Sequence, residues 1–153
     1  MLPGEKNGLQ TKCLIILERD TWPEMSKILN IDDVPAQRYA TSRLLREAGF
    51  EVVEGEDGST ALEIASKRKI DAVVLDVDLP DIDGFEVVSR LRKNEKTRFL
   101  PVVLVSAVFT KEDEVRQGLR GGADAYMSLP LQGPQLARVL NDLINRAKPD
   151  HNG

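Results

Sequence analysis

The sequence predicts an α/β protein, a doubly wound five-stranded parallel sheet with helices on both faces, in a single domain. Three observations predict it. From Lys27 onward, short apolar runs alternate strictly with amphipathic stretches, five of each. Two of those runs, Ala72 to Val77 and Pro101 to Val108, are almost continuously apolar, as strands buried on both faces must be. The length, 153 residues, suits one domain able to bury a core without disulfide or metal staples.

The elements follow in chain order. Ile28 to Ile31 reads as a strand. Val34 to Ala48 reads as a helix, with Gly49 suited to its C-terminal cap. Phe50 to Val53 is a second strand. Ser59 to Lys69 is a helix opened by a Ser59 cap. Ala72 to Val77 is the third strand, broken only by Asp76. Gly84 to Lys93 is a helix. Pro101 to Val108 is the fourth strand, with proline at its first position, where no ladder donor is lost. Glu112 to Arg120 is a helix ending at Gly121-Gly122, and Ala125 to Leu129 is a short fifth strand. Gln135 to Ala147 is the last helix, with Leu136, Leu140 and Leu143 on one face. The domain is expected over residues 26–148, with a tail at 149–153. Residues 1–25 do not fit the alternation. They read as an N-terminal extension, disordered or not native to the domain, in which Cys13 to Leu17 is an apolar patch and Trp22 the only tryptophan.

Composition narrows the function. Lysine plus arginine total 21 and aspartate plus glutamate 25, a net charge of −4. That balance argues against direct nucleic-acid binding. One cysteine, Cys13, rules out an intrachain disulfide, and one histidine, His151, leaves no basis for a His/Cys zinc site or a Ser-His-Asp triad. The apolar runs are too short to span a membrane, and the N-terminus lacks the apolar stretch of a signal peptide. The expected setting is the cytoplasm. Any metal chemistry must use carboxylate oxygens and hard cations.

In a parallel sheet of this kind ligands sit beyond the carboxyl ends of the strands. The first strand ends in Asp32-Asp33. The third carries Asp76, followed by Asp78. The fourth carries Ser106, and the fifth ends in Leu129-Pro130. If the fold is right, these converge on one edge. Several carboxylates in one small space repel unless a divalent cation sits among them, and magnesium, which takes oxygen ligands and keeps waters, fits. A carboxylate beside magnesium and a hydroxyl donor can accept a phosphoryl group and become an acyl phosphate.

Four segments carry a resemblance: Lys-Ile-Leu-Asn-Ile-Asp32-Asp33-Val-Pro, Val-Val-Leu-Asp76-Val-Asp78-Leu-Pro80-Asp-Ile-Asp83-Gly84, Pro-Val-Val-Leu-Val-Ser106-Ala107 and Gly-Ala-Asp-Ala-Tyr126. Together they resemble the receiver domain of bacterial two-component response regulators, over about residues 26–147. The resemblance implies a CheY-like fold and phosphoryl transfer from a histidine kinase or histidine phosphotransfer protein onto Asp76. It implies magnesium held by Asp33, Asp76 and the backbone carbonyl of Asp78, with Asp32 contributing directly or through water. Ser106 would hydrogen-bond a phosphoryl oxygen, Ala107 would keep the entrance open, and Tyr126 would move inward when the hydroxyl is drawn to the phosphate. Pro80 and Gly84 would shape the loop over the site. The Leu129-Pro130 bond is expected to be cis. A downstream effector would bind through the last two strands and helices, which could also support a homodimer.

One position departs from the family pattern. The lysine normally found before the proline after strand five is replaced by Leu129, which cannot pair with a carboxylate or a phosphoryl oxygen. The loss of such a charge-assisted hydrogen bond costs about 1.5–3 kcal/mol. A degenerate pseudo-receiver, working as a phosphorylation-independent binding module, therefore stands beside the phosphoacceptor reading. Lys111, soon after strand four, is a weaker substitute for the lysine.

Taken singly, most of these residues have plainer explanations. Asp32-Asp33 before Val-Pro could be a helix N-cap. Asp81 and Asp83 suit turn chemistry in a Pro/Gly loop. Asp76 is harder to explain so, because burying a lone charge near the end of an apolar strand is costly. Asp76-Val-Asp78 also resembles the opening motif of haloacid-dehalogenase-type phosphatases, where the first aspartate is a nucleophile and the second a general acid/base. That family usually opens with this motif, and its later lysine, acidic pair and cap domain are missing here. A signalling role without turnover, beyond self-dephosphorylation, is the expectation.

Overall fold

A computed structural model describes residues 25–107 and 112–148. The expected extension up to residue 24, Lys111, the end of the fourth apolar run at Val108 and the tail with His151 lie outside the described residues.

Five strands and five helices alternate: β1 (Lys27–Ile31), α1 (Pro35–Glu47), β2 (Glu51–Gly55), α2 (Gly58–Lys67), β3 (Ala72–Asp76), α3 (Gly84–Lys93), β4 (Val102–Ser106), α4 (Glu112–Arg120), β5 (Ala125–Ser128) and α5 (Gly133–Ala147). The strands form one parallel sheet in the order β2-β1-β3-β4-β5.

Alternation along the strands feeds two cores. Leu29, Ile31, Val73, Leu75 and Leu104 face one side and pack with Ala61 and Ala65 of α2 and Val87, Val88 and Leu91 of α3. Ile28, Val74, Val103 and Val105 face the other and pack with Leu45 of α1 and Leu136, Leu140 and Ile144 of α5. A strand whose successive residues point to opposite covered faces has no place for a polar side chain without a partner. Asn30, 1% exposed on the α1 side of β1, has one: its side-chain amide donates to Ser42 Oγ (2.9 Å) and to the Arg38 carbonyl (3.1 Å).

Several boundaries differ from the sequence reading, each for a local reason. Val34 is the N-cap of α1 rather than its first residue, and Pro35, which has no N–H to satisfy, starts the helix. Asp57, not Ser59, caps α2, accepting from the Thr60 N–H at 2.8 Å. The second strand runs through Glu51–Gly55, two residues beyond its expected end, because all five positions pair with β1. The last helix starts at Gly133, with Pro134 in its first turn. Gly49 follows α1 with φ of +95°, the left-handed conformation that ends helices at low cost to glycine.

This topology sets the place for chemistry. The chain leaves β1 through α1 toward one edge, to β2. It leaves β2 through α2 for β3, on the other side of β1. The reversal of winding lies between β1 and β3, and it opens a crevice beyond their carboxyl ends.

Candidate metal and phosphoryl site

Register brings the acidic residues together. Ile31 pairs with Leu75, so Asp32 and Asp76 are the next residues out of the sheet on adjacent strands. Asp76 in turn pairs with Val105, and Ser106 follows on β4. Asp32, Asp33 and Asp76 each offer a carboxylate oxygen, all within 4.8 Å of one another. Asp32 is buried, Asp76 half-buried and Asp33 exposed, so the cluster runs from the sheet edge to solvent.

Asp32 is fixed on several sides. Its N–H donates to the Gly55 carbonyl at the end of β2 (3.1 Å). Its Oδ1 accepts from the Val34 N–H (2.9 Å), an Asx turn that leads into α1. Asp76 Oδ1 accepts from the Asp78 N–H (3.1 Å), a tight turn that keeps the exposed Asp78 beside it.

The electrostatics follow from this crowding. Burial is the main cause that pushes the Asp76 carboxyl up from 3.8 to about 7, and the facing charges of Asp32, Asp78 and Asp33 add to it. The hydrogen bond from Asp78 opposes the rise. Asp32 is also raised, again chiefly by burial, although its hydrogen bonds with Val34 and Asp76 and the charge of Arg38 pull it down. Among the described residues, none of the three carboxylates is ion-paired with a lysine or arginine; Arg38 pairs with Glu54 instead. An all-oxygen donor set of crowded carboxylates of this kind fits a hard divalent cation such as Mg2+.

The remaining predicted residues surround this crevice. Ser106 is 2% exposed, and its side chain lies next to the Tyr126 phenol. Burial is the main cause that raises the Tyr126 phenol; the Ser106 side chain lowers it. Tyr126 packs on the α2/α3 core and lies close to Gly118 of α4, so it connects Ser106 to that helix. Ala107 is exposed. Leu129 packs against the α1/α5 core, its N–H donates to the Ser106 carbonyl (2.9 Å), and the Leu129-Pro130 bond is cis. The carboxyl end of β5 therefore leads into an apolar side chain, Leu129.

The loop after β3 is held by close approach. Gly84 donates to the Val77 carbonyl (2.8 Å), and a Cβ there would lie 2.8 Å from the Asp76 carbonyl oxygen. Asp83 caps α3 by accepting from the Glu86 N–H (2.9 Å), the turn role expected of it. Asp81 does more than shape a turn. Its carboxylate accepts from the Gly58 and Ser59 N–H groups (2.8 Å each) and from Ser59 Oγ (2.6 Å), which holds it well below the usual carboxylate range. It ties the loop above the crevice to the start of α2. Sequence reasoning missed this tie, and it missed Arg38, whose guanidinium donates to the Asp32 carbonyl at 2.7 Å. Neither leaves a local signal, since the partners lie on different elements.

Comparison with known proteins agrees with this arrangement. Residues 28–141 match the family model described as the response regulator receiver domain. Protein PilH of Pseudomonas aeruginosa is 30% identical over 120 residues, 78% of this chain and 98% of its own length. The DNA-binding dual master transcriptional regulator RpaA of Synechocystis is 35% identical over 122 residues, 80% of this chain but 50% of its own length. The chain thus spans about half of that relative, and it spans 25% of the response regulator PleD of Caulobacter vibrioides. Among solved structures, a response regulator of Chloroflexus aurantiacus superposes with a TM-score of 0.76 at 28% identity, covering 80% of this chain and all of the other. The receiver domain of a sensor histidine kinase from Pseudomonas aeruginosa, with magnesium coordinated in its active-site cleft, superposes with a TM-score of 0.73 at 27% identity, covering 80% and 99%.

Proposed function

The chain belongs to the response regulator receiver domain family, and on that premise we propose that it is a phosphoacceptor, taking a phosphoryl group on Asp76 from a histidine kinase or histidine phosphotransfer protein. The observation that carries this reading is the convergence of the Asp32, Asp33 and Asp76 oxygens within 4.8 Å at the reversal point of the sheet. The reaction is a displacement at phosphorus. An Asp76 Oδ forms the new O–P bond, the P–N bond of the donor imidazole breaks, and the imidazole leaves with its electron pair.

Each side chain has a part in it. Asp76 must attack as the carboxylate, and burial among like charges works against that form. Asp33, Asp76, the Asp78 backbone carbonyl and Asp32 are the groups that would hold Mg2+. A bound Mg2+ supplies positive charge that favours ionised Asp76 and offsets the charge on the transferring phosphoryl oxygens. Ser106, at the end of the neighbouring strand, would give its hydroxyl to a phosphoryl oxygen. That exchange would draw its hydroxyl away from the Tyr126 phenol and hand the change to α4, β5 and α5, the face we assign to an effector. The place of action in this reading is the cytoplasm; among the described residues no helix is long and apolar enough to cross a membrane.

Leu129 supports a second reading, a pseudo-receiver that binds its partner whether phosphorylated or not, since no ammonium at the end of β5 answers the new phosphoryl charge. Intact-mass measurement after exposure to acetyl phosphate separates the two. A magnesium-dependent phosphoryl adduct, absent in Asp76→Asn, supports the phosphoacceptor; no adduct with or without magnesium supports the pseudo-receiver.

A further inference from the structure

The acidic cluster is backed by a polar frame that the reaction itself does not use. Arg38 of α1 donates through Nη1 to the Asp32 carbonyl (2.7 Å), and its Nε lies 3.4 Å from Glu54 Oε1 at the end of β2. Glu54 in turn accepts from Ser42 Oγ at 2.5 Å through its other oxygen. Ser42, 0% exposed, also accepts from the Asn30 side-chain amide, which donates as well to the Arg38 carbonyl. Arg38, Glu54, Ser42 and Asn30, on α1, β2 and β1, thus close a ring of polar contacts, and through Arg38 this ring holds one peptide group just beyond β1. That group joins Asp32 to Asp33, the two carboxylates contributed by the first strand.

The geometry limits what this frame can be for. The Arg38 side chain is 16% exposed and that of Glu54 36%, so the pair is too sheltered to be an ordinary surface salt bridge. Arg38 does not touch a carboxylate of the cluster; it holds a carbonyl oxygen. A guanidinium paired with Glu54 at its Nε and anchored through its own backbone restrains the Asp32-Asp33 peptide. The orientation of that peptide decides where the Asp33 side chain starts from, and Asp33 is the exposed member of the cluster. Outer partners that orient ligands commonly matter about as much to metal affinity as a weak ligand does.

We propose that Arg38, clamped by Glu54, is a positioning residue that fixes the Asp32-Asp33 peptide and thereby sets the affinity of the carboxylate cluster for a divalent cation. The proposal rests on the phosphoacceptor reading for the role of the cluster. Position and charge make opposite forecasts for Arg38 and the same forecast for Glu54. If Arg38 acted only through its charge, its removal would strengthen cation binding and neutralisation of Glu54 would weaken it. If the pair acts by position, both changes weaken binding.

Isothermal titration of the full chain with Mg2+ alone, with no phosphodonor, tests this on wild type, Arg38→Met, Arg38→Lys, Glu54→Gln and Asp33→Asn. Expected are affinities about tenfold weaker for Arg38→Met and weaker also for Glu54→Gln. Arg38→Lys should recover part of the loss, since one ammonium can reach the Asp32 carbonyl but cannot also clamp on Glu54 as a fork. Circular dichroism melting on the same samples identifies any variant that has lost its fold; if Arg38→Met has, Arg38→Lys decides, since it keeps the charge, so that weaker binding supports the proposal and wild-type affinity overturns it. Arg38→Met binding as tightly as wild type or tighter overturns the proposal, as does Glu54→Gln binding as tightly as wild type. A wild type that binds no Mg2+, or that binds it equally well as Asp33→Asn, overturns instead the metal site on which the phosphoacceptor reading depends.

Discussion

Neutralising Asp76 should stabilise the domain. In Asp76→Asn the side chain keeps its size and an oxygen able to accept from the Asp78 N–H, but it no longer places a charge beside Asp32 and Asp33. The folded carboxyl is raised from 3.8 to about 7, and the unfolded one sits near 3.8. A group raised on folding favours the folded state while protonated. Its contribution is complete below pH 4 and is lost as the pH climbs to 7 and above. At about 1.36 kcal/mol per unit, the full shift would be worth about 4 kcal/mol. Asp76 is half-buried and partly screened by solvent, so about 2 kcal/mol is the expected gain for Asp76→Asn at pH 8 without divalent cations. For a domain of this size that is a rise in Tm of about 5–10 °C. The assay is a pair of thermal or urea melts at pH 8 and at pH 4, in a chelating buffer. The advantage of the Asn variant should be large at pH 8 and should nearly vanish at pH 4. Equal stability at pH 8, or an advantage that does not shrink on acidification, would refute the crowding argument.

Further outcomes follow from the same geometry. Adding Mg2+ at about ten times its Kd should stabilise wild type by about 1.4 kcal/mol and Asp76→Asn by much less, read as a difference in Tm shift. Arg92→Met should lower the urea midpoint by about 2–4 kcal/mol of stability, since the Arg92 guanidinium holds the Gly122 and Leu100 carbonyls (2.9 and 2.7 Å) and Asp124 (3.0 Å). Leu129→Lys should enlarge the spectral change induced by a beryllofluoride phosphate analogue with Mg2+, because an ammonium there could pair with the new charge by a bond worth about 1.5–3 kcal/mol; an unchanged response would show that Leu129 does not limit the switch.

The frame of the fold was legible because it rests on local, periodic signals. Five apolar runs, their lengths and the proline and glycine stops between them define the alternation, and alternation with short connections leaves few topologies. The carboxylates at the strand ends were legible for the same reason. Once Asp32 and Asp76 are placed at the ends of parallel neighbours, adjacency follows from register. What escaped the sequence lies between elements. Asp81 to the start of α2 spans 22 or 23 residues, and Arg92 to Asp124 spans 32, so no window of sequence contains both partners. Ser59 resembles a helix cap in sequence as well as Asp57 does, and only the loop after β3, which claims Ser59 for Asp81, decides between them. Arg38 looks like any basic residue on an amphipathic helix until β2 brings Glu54 beside it.

Trapping the acyl phosphate locates the chemistry most directly. The protein is treated with acetyl phosphate and Mg2+, reduced with borohydride, which converts an aspartyl phosphate to homoserine, and mapped by peptide mass. Homoserine is expected at position 76 and at no other aspartate, and none when Mg2+ is chelated. Homoserine at Asp32, Asp33 or Asp78, or unmodified Asp76 in folded protein with Mg2+ bound, would contradict phosphoryl transfer to Asp76.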